Sequence, residues 1–66
     1  MKVGDLVRLP IVSPYWWSDR VGIVDFAGPD EVLGPGAPIS YRVIVEPGKY
    51  VRFGDPSFAK VISEGR

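Results

Sequence analysis

Asp25, Asp30, Glu31 and Asp55 are the carboxylates to test for acid–base chemistry, and Lys49 or Lys60 could formally activate a serine. Neither arrangement carries a motif. General acid–base work needs a cleft that pushes two titratable groups apart, and a chain of 66 residues offers only grooves. With no histidine and no cysteine, Ser–His and Cys–His nucleophiles are excluded, and zinc, haem and iron–sulfur sites lose their usual ligands. No Asp-x-Asp-x-Asp run offers a calcium loop. Catalytic, cofactor-binding and metal-binding residues are therefore not expected, and neither is an enzyme. The chemistry left is recognition. Its strongest carrier is the run Tyr15-Trp16-Trp17 inside SPYWWSDRVGIVDF, residues 13–26, because tyrosine and tryptophan dominate binding hot spots.

Those rings need a scaffold, and the turn residues indicate which kind. Eight glycines and seven prolines punctuate the chain, leaving no segment long enough for a stable amphipathic helix. Short strand-like runs remain: Asp5–Leu9, Val21–Phe26, Tyr41–Glu46, Lys49–Phe53 and Lys60–Ser63. Gly22 suggests a bulge or tight bend in the second run. Residues 28–39, GPDEVLGPGAPI, read as an irregular loop, Pro47-Gly48 as a tight turn and GDPSF as one 3₁₀ turn. The fold expected over residues 1–66 is a single all-β domain, a small five-stranded SH3-like barrel. It has a long first loop from Pro10 to Arg20 and a 3₁₀ turn before the last strand.

Alternation then sorts faces. Val7, Leu9, Val24, Phe26, Val43, Val45, Val51 and Phe58 should make most of the core. Leu6 and Ile44 fall on the outward faces of their strands, where they form a patch if Tyr50 or Val12 lies beside them. Adjacent residues on an extended loop point to opposite sides, so Tyr15, Trp16 and Trp17 cannot all be buried; one indole caps the barrel while another is presented. Arg8, Arg42, Arg52 and Lys49 make either a basic stripe or solvated charges paired with Glu46, Asp25 and Asp5; the interleaved acids favour pairing. The residues expected to meet a partner are Tyr15, Trp16, Trp17, Leu6, Ile44, Tyr50, Arg42 and Arg52.

Val7-Arg8-Leu9, then Tyr15-Trp16-Trp17, then Gly22-Ile23-Val24 resemble the first half of the small extrinsic SH3-like protein on the electron-acceptor side of photosystem I. Tyr41, Val43 and Val45 match that family's tyrosine-led valine strand, and Phe58-Ala59 its aromatic–alanine pair before the closing strand. The opening KVGDLVRL also looks like the variable chain of ferredoxin–thioredoxin reductase and the C-terminal barrel of the nitrile hydratase β chain. What the resemblance implies is a non-catalytic accessory barrel fixed to a larger redox or photosynthetic electron-transport assembly. Glu46 stands where the photosystem I family carries an arginine linked to ferredoxin docking, and Pro56-Ser57 replaces two asparagines.

Eight basic and eight acidic residues cancel, which argues against a nucleic-acid partner, since such affinity is mostly cation–phosphate contact. A small KOW- or Tudor-like barrel binding RNA or single-stranded nucleic acid is the alternative, with Trp16 or Tyr15 stacking on bases near Arg20 and Arg52. A reader of methylated lysine or arginine is a weaker one. Residues 1–20 lack a signal-peptide pattern and no apolar run reaches the length of a membrane span. A cytoplasmic protein is expected, or one on the stromal or cytoplasmic face of a membrane complex.

Overall fold

Five alternating segments become five strands: β1 (Leu6–Arg8), β2 (Val21–Pro29), β3 (Ile39–Glu46), β4 (Lys49–Phe53) and β5 (Lys60–Ser63). They are seen in a computed structural model that describes residues 1–29 and 34–64. All neighbours are antiparallel, in the sheet order β4-β3-β2-β1-β5. The chain is a small five-stranded SH3-like barrel with a long loop between β1 and β2 and a 3₁₀ turn, Pro56–Phe58, before β5.

Local chemistry explains the turns. Glu46 pairs directly with Lys49, so Pro47-Gly48 is a two-residue connection, and Gly48 takes φ +77°, a conformation that penalises a Cβ. Asp55 starts the 3₁₀ turn: its Oδ1 accepts from Ser57 N at 2.9 Å and from Ser57 Oγ at 2.8 Å. Those two bonds hold the Asp55 carboxyl below the usual range.

Four expectations need correction. Asp5 and Leu9 lie just outside β1, although the hydrogen bonds Gly4 N to Val24 O and Leu9 N to Arg20 O continue the pairing at both ends. Gly28, Pro29 and Ile39 belong to strands rather than to an irregular loop; Pro29 sits at the last position of β2, where its missing N–H matters least. Gly22 is not a bulge, because it pairs regularly with Val7. It is a close approach: a Cβ there would lie 2.5 Å from Val43 Cγ1 and 2.6 Å from the Ile44 carbonyl oxygen.

The irregularity of β2 falls instead between Val24 and Phe26, and it decides the fourth correction. Asp25 takes the extra position, so the inward phase passes from Val24 to Ala27 and Phe26 pairs with Arg42 on the outer face. The core is Val7, Leu9, Val24, Val43, Val51 and Ala59, with Met1, Trp17, Ala27, Val45, Phe53, Phe58 and Val61 packed against it. Phe26 is half-buried and takes no part in it.

Candidate functional site

One register row of the sheet runs Leu6, Ile23, Ile44 and Tyr50, each residue the cross-strand partner of the next. Their neighbours in sequence, Val7, Val24, Val43 and Val51, are buried, so the row occupies the outer face. Ile23 and Tyr50 are each more than half exposed, Ile44 is exposed and Leu6 half-buried. Beside the row lies an open groove of about 440 Å³, walled by Leu6, Val21, Ile23, Ile44, Val45 and Pro47, with Asp25 and Glu46 supplying its carboxylates. Leu6, Ile44 and Tyr50 thus come together as one patch, and Ile23 joins them. Val12 stays in the loop, its N–H bound to Ser18 Oγ at 2.8 Å. Ile23 and Val21 are functional candidates that the sequence reading misses. The signal for them is the alternation about Val24, which places both on the side opposite the core.

Charged groups frame this row in pairs made within the chain. Arg42 grips Asp25 with two bonds of 2.8 Å, Nε to Oδ1 and a terminal nitrogen to Oδ2, while its guanidinium carbon lies 5.4 Å from the Tyr50 ring centre. The Asp25 bulge is what aims that carboxylate across the strand. The hydrogen bond to Asp25 raises the Arg42 pKa still further above neutrality. Glu46 binds Arg20 and, at 3.8 Å, Lys49. The Arg20 hydrogen bond is the main cause of a Glu46 pKa below the ordinary carboxylate range. Arg8 donates from Nε to Asp19 Oδ1 at 2.9 Å. Arg52 stands opposite Arg42 and makes no ion pair among the described residues. Asp5 is no solvated counter-ion: it is buried, and its Oδ2 accepts from Lys2 N at 2.9 Å, tying down the turn that enters β1.

The aromatic run divides, though not on an extended backbone. Tyr15 N bonds to Val12 O, Ser18 N to Tyr15 O and Arg20 N to Trp17 O, so the loop is a succession of tight turns. Asp19 N to Pro10 O and Leu9 N to Arg20 O close it at the base. Tyr15 and Trp17, two residues apart, stack with ring centres at 5.1 Å. Trp17 continues onto Phe58 at 5.5 Å, Phe58 onto Phe53 at 4.9 Å and Phe53 onto Tyr41 at 5.7 Å, an aromatic ladder over one end of the barrel. Trp16 goes the other way. It is 45% exposed, with the Lys49 ammonium 5.8 Å from its ring centre. Since Lys49 also reaches Glu46, Trp16 sits beyond the edge of the groove.

Of the carboxylates considered for acid–base work, Asp25 and Asp55 are engaged as described, while Asp30 and Glu31 lie outside the described residues. Among the described residues no helix is long and apolar enough to cross a membrane. Comparison with protein-family models, with curated proteins and with solved structures returns no match to this chain.

Proposed function

We propose that this chain is a non-catalytic docking module that joins a larger protein assembly through the outer face of its sheet and Trp16. The observation that carries the reading is the row Leu6–Ile23–Ile44–Tyr50. Four side chains from four strands, Ile23, Ile44 and Tyr50 exposed and Leu6 half-buried, stand side by side on the outer face of a domain whose buried core holds only six hydrophobic residues among those described. A contiguous outer patch is how interfaces are built, whereas single exposed apolar residues are ordinary. The ion pairs around it leave the partner little charge to neutralise and act as a polar rim around an apolar centre. Tyr50, Trp16 and Arg42 supply the residue types that most often anchor such contacts. The resemblance to the extrinsic SH3-like protein of photosystem I supplies the class of assembly: an electron-transfer complex, with this chain at its periphery.

Nucleic-acid binding is the weaker reading. Arg8, Arg20 and Arg42 each hold a carboxylate and the chain is neutral overall, so little net positive charge is left for phosphates. The test is affinity purification from the native host with the wild-type chain and with Ile44→Asp, which places a charge in the middle of the row. The expected result is a stoichiometric assembly with the first and its loss with the second, both proteins being folded. An assembly retained by Ile44→Asp would refute the proposal.

A further inference from the structure

We infer that the groove between the first loop and the 3₁₀ turn is a second binding site, built for a short acidic–apolar peptide segment of a partner protein. It measures about 450 Å³, and none of its lining residues belongs to the outer row: Arg8, Leu9, Pro10 and Ile11 form one wall, Ser57, Phe58 and Lys60 the other, and Asp19 completes it. Its charge is locally unbalanced. Arg8 and Lys60 are direct cross-strand partners on β1 and β5, and like charges so placed repel. Asp19 is the one carboxylate in the lining and it engages Arg8 through Nε alone, whereas Lys60 makes no ion pair among the described residues. The site therefore carries a net positive charge within a neutral chain.

An acidic side chain lying between the guanidinium and the ammonium relieves that repulsion and gains charge-assisted hydrogen bonds. The apolar half of the segment is specified by Ile11, which is 77% exposed, the most exposed large hydrophobic of the described chain, together with Pro10 and Phe58. Simple anions and nucleic-acid phosphates would satisfy the cations and leave Ile11 uncovered. The wall is preformed, since Asp19 N holds Pro10 O and Ser18 Oγ holds Val12 N, so little ordering opposes binding.

This groove is separate from the docking face, and the test keeps the two apart. An acetylated, amidated octapeptide with an Asp-Glu pair followed by two leucines is titrated into the ¹⁵N-labelled full chain at low salt. Saturable shifts are expected at the amides of Arg8, Ile11, Ser57 and Lys60, with a dissociation constant of about 1 mM or below. The Asn-Gln version of the peptide, and the Lys60→Ala and Ile11→Ser variants, should each bind about fivefold more weakly. Ile44→Asp should bind as the wild type does. Equal binding of the neutral peptide overturns the proposal, as does the absence of saturation at about 5 mM. So do shifts centred on Ile23 and Ile44, or an oligonucleotide that occupies the same amides more tightly than the peptide.

Discussion

Gly22 and Gly48 are both glycines at necessary positions, but for opposite reasons. At Gly22 the obstacle is space: the nearest side-chain and backbone atoms of β3 lie 2.5 and 2.6 Å from where a Cβ would be, and the backbone cannot yield cheaply. Gly22→Ala should therefore cost about 1–3 kcal/mol or more, read as a lower denaturation midpoint. At Gly48 nothing lies within 4 Å, and only φ +77° penalises a side chain, so Gly48→Ala should cost about 1 kcal/mol. The same distinction separates Leu9 from Phe26. Leu9 is fully buried, and Leu9→Ala should remove about 2–5 kcal/mol, enough to unfold a domain of this size. Phe26→Ala, on the outer face, should leave the domain folded. Two carboxylates contribute to the loss of stability in acid. Glu46 and Asp55 have folded-state pKa values below their unfolded ones, so the stability they give is complete above the unfolded values and is lost as pH falls through the folded ones. The melting temperature should be level from pH 7 to about 5 and fall below about 4, with a smaller fall for Glu46→Gln or Asp55→Asn. A melting temperature that rises on acidification would contradict both assignments.

At the scale of elements, the hairpin β3–β4 is the most legible part of the sequence, because alternation and a Pro-Gly dipeptide specify both strands and the turn; only its register slips by one residue between Ile44 and Glu46. β2 is legible only in its first half. A bulge has no residue-type signature, so nothing in VDFA announces that Asp25 shifts the phase, sends Phe26 outward and turns its carboxylate to Arg42. The patch is half-visible for the same reason that Ile23 escapes notice. Alternation names outward residues strand by strand, while adjacency between strands depends on register, which is a property of the folded sheet. In the first loop the aromatic run marks a loop with rings to place. Its turns depend on the Ser18 hydroxyl and the Asp19–Arg8 pair, whose partners are six and eleven residues away. These turns make the two indoles inequivalent. Trp17→Ala removes the link between Tyr15 and Phe58 and should lower the melting temperature by about 10 °C. Trp16→Ala should leave it nearly unchanged. If Trp16 lies at the proposed interface, its loss should weaken assembly about thirtyfold. Equal melting temperatures for the two variants would show that the ladder does not hold the barrel end.

At the scale of the whole molecule, a neutral chain that pairs Arg8, Arg20 and Arg42 with its own carboxylates is suited to contacts driven by area rather than by field. Single-stranded oligonucleotides should not bind with submicromolar affinity at physiological salt. Such binding, weakening steeply as salt rises, would mark a nucleic-acid module instead. On the proposed docking reading, the chain stabilises itself with a thin core and leaves the row Leu6–Ile23–Ile44–Tyr50 for another protein. Removing the row's hydrophobic character should then separate assembly from folding. The most direct measurement is size-exclusion chromatography of native-host extracts containing tagged wild-type or Ile44→Asp chain, after their melting temperatures have been shown to agree within a few degrees. The wild-type chain is expected to elute within a stoichiometric assembly and Ile44→Asp as the free chain. Elution of both in the same assembly, or of the wild type as the free chain, would contradict a docking role for the outer face of the sheet.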